Sequence, residues 1–139
     1  MGPGRDVEVF EMPAEARDAV ARSLGEALAS EPGVRVALLF GSFARGEPFR
    51  DLDVGVEFGG PFSLLDVGRL ATRLWTAAGE PAFEIDVVPL DDAPASFRLE
   101  VAETGRLLRE RHEGDAVEFA VTARRDAIDL AAALEDERP

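Results

Sequence analysis

Residues 41–54 decide the fold of this chain, and they read Gly41-Ser42-Phe43-Ala44-Arg45-Gly46-Glu47-Pro48-Phe49-Arg50-Asp51-Leu52-Asp53-Val54. The pattern predicts a strand that ends at a glycine-serine turn, followed by a second strand that opens with two carboxylates. Side chains at i and i+2 lie on one face of a strand, so Asp51 and Asp53 are expected to project together. Two neighbouring carboxylates beside a tight polar turn suit the binding of divalent metal ions against a nucleoside triphosphate.

The composition favours a small acidic protein. The chain has 139 residues, no Cys and a formal net charge of -13. The length predicts a single domain over residues 1–139, with a core at about 15–111 and a C-terminal helix at about 114–136. The absence of Cys excludes disulfides and thiolate zinc sites, and the negative charge argues against direct binding of a polynucleotide. No run is apolar enough to span a bilayer, and the acidic N-terminus does not resemble a signal peptide, so we expect a cytoplasmic protein without a membrane segment.

The elements around this stretch predict an α/β (α+β) architecture, in which a small mixed sheet is flanked by helices. Apolar spacing and Gly or Pro boundaries place helices at 15–30, 64–78, 94–111 and 114–136, and strands at 34–40, 52–58 and 83–89. Ser63 is expected to cap the second helix. The succession of strand, helix and strand favours parallel pairing of the second and third strands.

A third metal ligand is expected from an adjoining strand, and Asp86 is the candidate. Its neighbours Ile85 and Val87 are apolar, so its carboxylate leaves the opposite face of the strand from theirs. Oxygen ligands of this kind select hard ions such as Mg²⁺. We therefore predict that Asp51, Asp53 and Asp86 form a metal site that catalyses phosphoryl displacement, with two ions in place.

The Gly41-Ser42 turn is the predicted phosphate-binding half of the site. Glycine allows the backbone to approach an anion, and the Ser42 hydroxyl and exposed amides can donate to phosphate oxygens. Arg45 and Arg50 add guanidinium groups whose geometry suits phosphate oxygens. We predict that these four residues bind the nucleotide.

Two side chains near the site have competing interpretations. Glu84 shares a strand face with Asp86 and would either assist a metal or stay solvated. Arg50 would either contact phosphate or form a surface ion pair with Glu47 or Glu57.

The last helix has more apolar surface than one side of a small domain requires. Its two stripes run through Val117, Val121 and Ile128, and through Phe119, Ala123, Leu130 and Leu134. One stripe is expected to close the core, and a partner protein or a second copy of the chain would cover the other. A homo-oligomer therefore stays open as an alternative.

Three motifs carry a family resemblance, namely Phe40-Gly41-Ser42-x-Ala44-Arg45-Gly46, Asp51-Leu52-Asp53 and Glu84-Ile85-Asp86-Val87-Val88. With them the chain resembles the polymerase-β-type nucleotidyltransferase superfamily. More narrowly, it resembles the minimal nucleotidyltransferases, or MNT proteins, which are often encoded beside a HEPN-domain toxin. The resemblance covers residues 34–111 well and implies a polymerase-β-like nucleotidyltransferase fold.

The resemblance also implies an activity and a partner. In that family the glycine-serine pair grips the nucleotide and three aspartates bind Mg²⁺, and here those roles would fall on Gly41, Ser42, Asp51, Asp53 and Asp86. The antitoxin members transfer AMP from ATP to a hydroxyl of the partner toxin, which silences it. An enzyme that uses ATP, requires Mg²⁺ and modifies a HEPN-type toxin is therefore expected.

Two alternatives stay open, and one departure from the family pattern bears on the second of them. Only eight residues lie between Ser42 and Asp51, ending in Arg50, and this connection is shorter than is common in the family. The first alternative is a nucleotidyltransferase that modifies a small molecule. The second is a catalytically weak antitoxin that masks its partner sterically, and the shortened connection favours it.

Overall fold

A four-stranded sheet organises the chain. Its strands are β1 (Val36–Phe40), β2 (Asp51–Glu57), β3 (Glu84–Pro89) and β4 (Arg106–Glu110), in the order β3-β2-β1-β4. β1 pairs antiparallel with both β2 and β4, whereas β2 and β3 run parallel. The computed structural model describes residues 8–136, so the predicted domain limits at residues 1 and 139 lie outside it. The mixed sheet and the parallel pairing of the second and third strands are confirmed.

Five helices accompany the sheet within residues 8–136, and they are α1 (Ala14–Leu28), α2 (Gly41–Ala44), α3 (Leu64–Ala77), α4 (Ala95–Thr104) and α5 (Asp115–Asp136). Ser63 caps α3 as predicted, because its Oγ accepts from the Asp66 N–H at 3.2 Å while the Asp66 carboxylate accepts from the Ser63 N–H at 2.8 Å. None of the helices in the described part is long and apolar enough to cross a membrane.

The sheet separates two apolar layers. On one face, Leu39 and Val54 pack with the helices α1 and α3. On the other, Leu38 packs with Val101 of α4 and Phe119 of α5. Because side chains alternate along a strand, the residues between the core positions of β2 and β3 project from the face that carries α4 and α5. Asp51, Asp53 and Asp86 are among those residues.

The prediction of one helix over residues 94–111 is wrong. α4 ends at Thr104, and residues 106–110 form β4 instead. Gly105 has an extended backbone, and a Cβ atom there would lie only 2.5 Å from the Val101 carbonyl oxygen and 3.0 Å from that of Leu39. The segment after Gly105 pairs with the side of β1 that β2 leaves free, and these ladder hydrogen bonds outweigh continuation of the helix. The other predicted elements are present, with ends that differ by one or two residues.

Candidate active site

The three predicted carboxylates meet on one face of the sheet, near the N-terminal ends of the parallel strands β2 and β3. Asp51 and Asp53 lie at the start of β2, and Asp53 stands opposite Asp86 in the parallel register of β2 and β3. Each of the three offers an oxygen atom, and these oxygens lie within 4.8 Å of one another. The arrangement depends on the two-residue repeat of β2 and on the alignment of two neighbouring strands. Carboxylate oxygens at this spacing fit a hard divalent ion such as Mg²⁺.

Asp53 is the most perturbed carboxylate of the group. Partial burial, followed by the negative charges of Asp51 and Asp86, raises its pKa from 3.8 to about 6, while the charge of Arg45 opposes the shift. The charged form is therefore disfavoured in the absence of a cation. A bound divalent ion would remove this repulsion, because its charge exceeds that of the carboxylate it neutralises.

The predicted glycine-serine turn is the first turn of the short helix α2. Gly41 has a φ of +82°, a conformation that favours glycine. A Cβ atom at Gly41 would lie 2.5 Å from Oδ2 of Asp53, so any side chain there would displace that carboxylate. The close approach follows from the antiparallel register, in which Phe40 stands opposite Asp53. Gly41 therefore connects the turn to the carboxylate group directly.

Arg45 lies next to this turn. Its Nη2 donates to the Ser42 hydroxyl at 3.4 Å, and its Nε donates to Glu47 at 3.1 Å. Both members of the Arg45–Glu47 pair are more than half exposed, so the pair is screened by solvent and contributes little stability. The Arg45 guanidinium can exchange Glu47 for another anion at low cost.

A cleft of about 300 Å³ opens beside the carboxylates, and it is lined by Val9, Ser42, Pro48, Phe49, Arg50, Asp51 and Asp53. Arg50 is exposed at its rim. Neither of the ion pairs considered for Arg50 is formed within residues 8–136, since Glu47 pairs with Arg45 and Glu57 with Arg35. Arg50 thus presents its charge to the cleft wall without a carboxylate partner in the described part.

Arg17 is a residue of this region that the sequence pattern did not single out. It is buried on α1, and it donates from Nε to the Met12 carbonyl at 2.8 Å and from Nη1 to the Phe43 carbonyl at 2.9 Å. Its guanidinium carbon lies 5.2 Å from the ring centre of Phe43 and 5.1 Å from that of Phe49. The available signal was periodicity, because the buried stripe of α1 is Arg17, Ala21, Leu24 and Leu28. An arginine on such a stripe indicates a specific internal partner.

The segment before α1 also contributes to the site. Phe10 and Phe49 exchange two backbone hydrogen bonds of 2.7 and 3.0 Å, which form an isolated antiparallel bridge. This bridge places the exposed Val9 side chain on the wall of the cleft. The wall therefore includes chain from outside the stretch that predicted the site.

One family matches the chain by sequence. It is described as polymerase beta, nucleotidyltransferase, and it matches residues 22–114, which include all three carboxylates and the glycine-serine turn. No curated protein matches the chain.

Solved structures extend the similarity. The chain is 25% identical to a chain of a toxin-antitoxin structure with AMP-PNP, with a TM-score of 0.65 and coverage of 85% of this chain and 91% of that one. It is 23% identical to a chain of a complex between the tri-AMPylated HEPN toxin of Shewanella oneidensis and an MNT antitoxin, with a TM-score of 0.57 and coverage of 91% and 92%. A chain of the toxin-antitoxin MntA-HepT is 21% identical, with a TM-score of 0.57 and the same coverage. The predicted polymerase-β-like fold is confirmed.

Proposed function

The chain belongs to the polymerase beta nucleotidyltransferase family, and on this basis we propose that it transfers AMP from ATP to a hydroxyl group of a partner protein in a Mg²⁺-dependent reaction. The observation that carries the proposal is the group of three carboxylates with oxygens within 4.8 Å of one another. This group lies against the glycine-serine turn, through the contact between Gly41 and Asp53. The similarity to a toxin-antitoxin structure with AMP-PNP supports ATP as the substrate.

The positions of the carboxylates support a separate proposed role for each. In this proposal Asp51 and Asp53 would hold the ion that accompanies the triphosphate, and Asp86 would help to hold a second ion. When bound, Mg²⁺ supplies positive charge to the attacking and leaving oxygens of the displacement. The acceptor oxygen loses its proton to water and bonds to the α-phosphorus, while the bond from that phosphorus to pyrophosphate breaks. Because Asp53 is partly buried and its pKa is raised to about 6, its ionisation limits metal binding at acidic pH.

The turn and two arginines hold the nucleotide in this proposal. Gly41 allows the triphosphate to approach the backbone, and Ser42 donates from its hydroxyl. Arg45 releases Glu47, with which it forms only an exposed ion pair, and donates to phosphate instead. Arg50 adds a second guanidinium from the cleft wall.

The acceptor is proposed to be a HEPN-type toxin, with this chain as its antitoxin in the cytoplasm. The cleft of about 300 Å³ is small for both a nucleotide and an acceptor, so the acceptor group is expected from a protein docked across its opening. One solved complex with a similar chain contains a tri-AMPylated HEPN toxin, which supports this choice. The α5 stripe formed by Val117, Val121 and Ile128 offers apolar surface for a partner or a second copy, since these side chains are 67%, 55% and 59% exposed.

Intact-mass analysis of a co-purified partner, before and after incubation with ATP and Mg²⁺, tests the proposal. A gain of one or more AMP units is expected, and the gain should disappear in an Asp51→Ala, Asp53→Ala double variant. Glu84→Gln is the matched control, because Glu84 is an exposed carboxylate on β3 outside the group of three. A partner that stays bound without gaining mass would instead support steric masking. The absence of any partner would support modification of a small molecule.

A further inference from the structure

Arg17 is the only charged side chain that is buried within residues 8–136, with 7% of its surface exposed. No carboxylate in the described part lies within ion-pair distance of it. Burying an arginine is costly, since the charge loses its hydration. Other contacts of the Arg17 guanidinium must offset this cost, and they show which parts of the chain Arg17 holds together.

The contacts of Arg17 join the segment before α1 to both ends of the connection between Ser42 and Asp51. Its two hydrogen bonds go to backbone carbonyls, one at Met12 before α1 and one at Phe43 in α2. The guanidinium also lies near the rings of Phe43 and Phe49, at distances of 5.2 and 5.1 Å that allow cation-π attraction. Phe43 and Phe49 lie on the same short connection, whereas Met12 lies far from them in the sequence, and Arg17 contacts both parts of the chain.

Each of these segments borders the cleft beside the carboxylates. Phe43 follows Ser42, Phe49 lines the cleft and precedes Arg50, and the Met12 segment places Val9 on the cleft wall. We propose that Arg17 is a positioning residue of the nucleotide site, which holds the Gly41-Ser42 turn and the short connection to Asp51 in their binding geometry before the nucleotide arrives. This inference rests on the proposed nucleotide-binding function.

The short connection makes such a residue necessary. Only eight residues join Ser42 to Asp51, and within them the backbone turns through hydrogen bonds from Arg45 N–H to Gly41, from Gly46 N–H to Phe43 and from Glu47 N–H to Ser42. The Phe43 carbonyl accepts both from Gly46 and from Arg17. An apolar residue at position 17 would pack among the rings but would leave two carbonyls without their side-chain donor.

Arg17→Lys is the test variant, because lysine keeps the charge but lacks the planar fork that reaches both carbonyls. Leu24→Ala is the matched control, since Leu24 is fully buried on the same helix and belongs to the apolar layer between the sheet and the helices α1 and α3. Two quantities are measured for wild type and both variants. They are the affinity for AMP-PNP with Mg²⁺, and hydrogen exchange of the Arg45, Gly46 and Glu47 amides without nucleotide.

Arg17→Lys is expected to weaken AMP-PNP binding at least tenfold and to speed exchange at these three amides. Leu24→Ala is expected to lower the denaturation midpoint while leaving both quantities near wild type. Equal changes in the two variants, or unchanged exchange or binding in Arg17→Lys, would overturn the proposal. If Arg17→Lys does not fold, Phe49→Leu is measured instead, because it removes one ring face and keeps both carbonyl hydrogen bonds. Since Phe49 itself lines the cleft, hydrogen exchange without nucleotide decides this case: faster exchange at the three amides supports the proposal, and unchanged exchange overturns it.

The two readouts separate this inference from the proposed function. Failure of the wild-type protein to bind AMP-PNP refutes nucleotide binding, and with it the nucleotide part of the inference. The exchange rates need no nucleotide, so they still decide whether Arg17 orders the connection. Wild-type binding combined with an unaffected variant refutes the positioning role alone.

Discussion

Replacing Asp53 by asparagine should stabilise the metal-free protein while abolishing metal binding. Partial burial and the charges of Asp51 and Asp86 raise the pKa of Asp53 from 3.8 to about 6. Between these two values the folded protein binds a proton that the unfolded chain has released. The contribution of Asp53 to stability therefore falls as the pH rises through this window, and it is least favourable above pH 6. The asparagine side chain carries no charge and escapes this penalty.

The size of the effect follows from the shift. A change of about two pKa units corresponds to about 3 kcal/mol, at about 1.36 kcal/mol per unit. Because the side chain is only partly buried, solvent screening reduces the expected gain in unfolding free energy to about 1–2 kcal/mol. For a chain of this length that gain raises the melting temperature by about 3–8 °C.

Thermal and urea unfolding in the presence of a chelator measure this gain. We expect Asp53→Asn to be more stable than wild type near neutral pH, with a difference that shrinks toward pH 4. Added Mg²⁺ should stabilise wild type but not the variant, because only wild type retains the full set of ligands. Glu84→Gln, an exposed change on the same sheet face, should shift stability by less than about 0.5 kcal/mol.

Two results would refute this reasoning. One is a chelated Asp53→Asn protein that is no more stable than wild type near neutral pH, which would mean that neither burial nor the neighbouring carboxylates disfavour the charged form of Asp53. The other is a gain of constant size from neutral pH to pH 4, because the penalty on Asp53 must disappear once both states are protonated.

Three further predictions concern the turn, the metal and the last helix. Gly41→Ala should weaken Mg²⁺ binding, measured by calorimetry, at least tenfold, because the added Cβ would displace the Asp53 carboxylate. Gly46 has a similarly positive φ but open space around it, so Gly46→Ala should leave Mg²⁺ binding unchanged, and equal losses of affinity in the two variants would contradict this reasoning. Wild-type Mg²⁺ affinity should fall about tenfold per pH unit below pH 6 and stay constant above it, so a flat titration curve would be contrary evidence. Arg35→Ala should lower the free energy of unfolding by about 2 kcal/mol, because Arg35 pairs with one carboxylate of β2 and two of α5. Arg124→Ala breaks one exposed ion pair and should lower the free energy of unfolding by less than about 0.5 kcal/mol, so similar losses in the two variants would count against the Arg35 network.

The carboxylate group was predictable because strand geometry is local. Side chains two residues apart on a strand project from the same face, so Asp51 and Asp53 were expected to lie together. Asp86 has an apolar neighbour on each side, so its side chain was expected to project from the opposite face of its strand. The parallel pairing of β2 and β3 followed from the helix between them. The exact register did not follow, yet it decides that Asp53, rather than Asp51, stands opposite Asp86.

The fourth strand was not predictable from local pattern. Residues 106–110 contain two adjacent leucines between charged residues, which suits a helix as well as a strand. What selects the strand is the free side of β1, a partner far away in sequence. Gly105 was the local signal, since it ends α4 where a Cβ atom would meet the Val101 carbonyl.

The roles of Gly41 and Arg17 also depend on contacts that are distant in sequence. Gly41 was predicted from the turn alone, but its need for a hydrogen in place of a side chain comes from Asp53 on the next strand. Arg17 lies 26 residues from Phe43, whose carbonyl it binds. No spacing rule connects them, because the contact arises only when α1 packs against the turn.

The register between Asp53 and Asp86 has a consequence for how this site can change during evolution. Their separation is set by the distance between neighbouring strands, about 4.8 Å in any sheet, and not by the loops around them. Insertions or deletions in the connection before Asp51 can therefore reshape the nucleotide-binding wall of the cleft while the two ligands keep their spacing. A lineage that shortens this connection can change how it holds the nucleotide without rebuilding its metal centre.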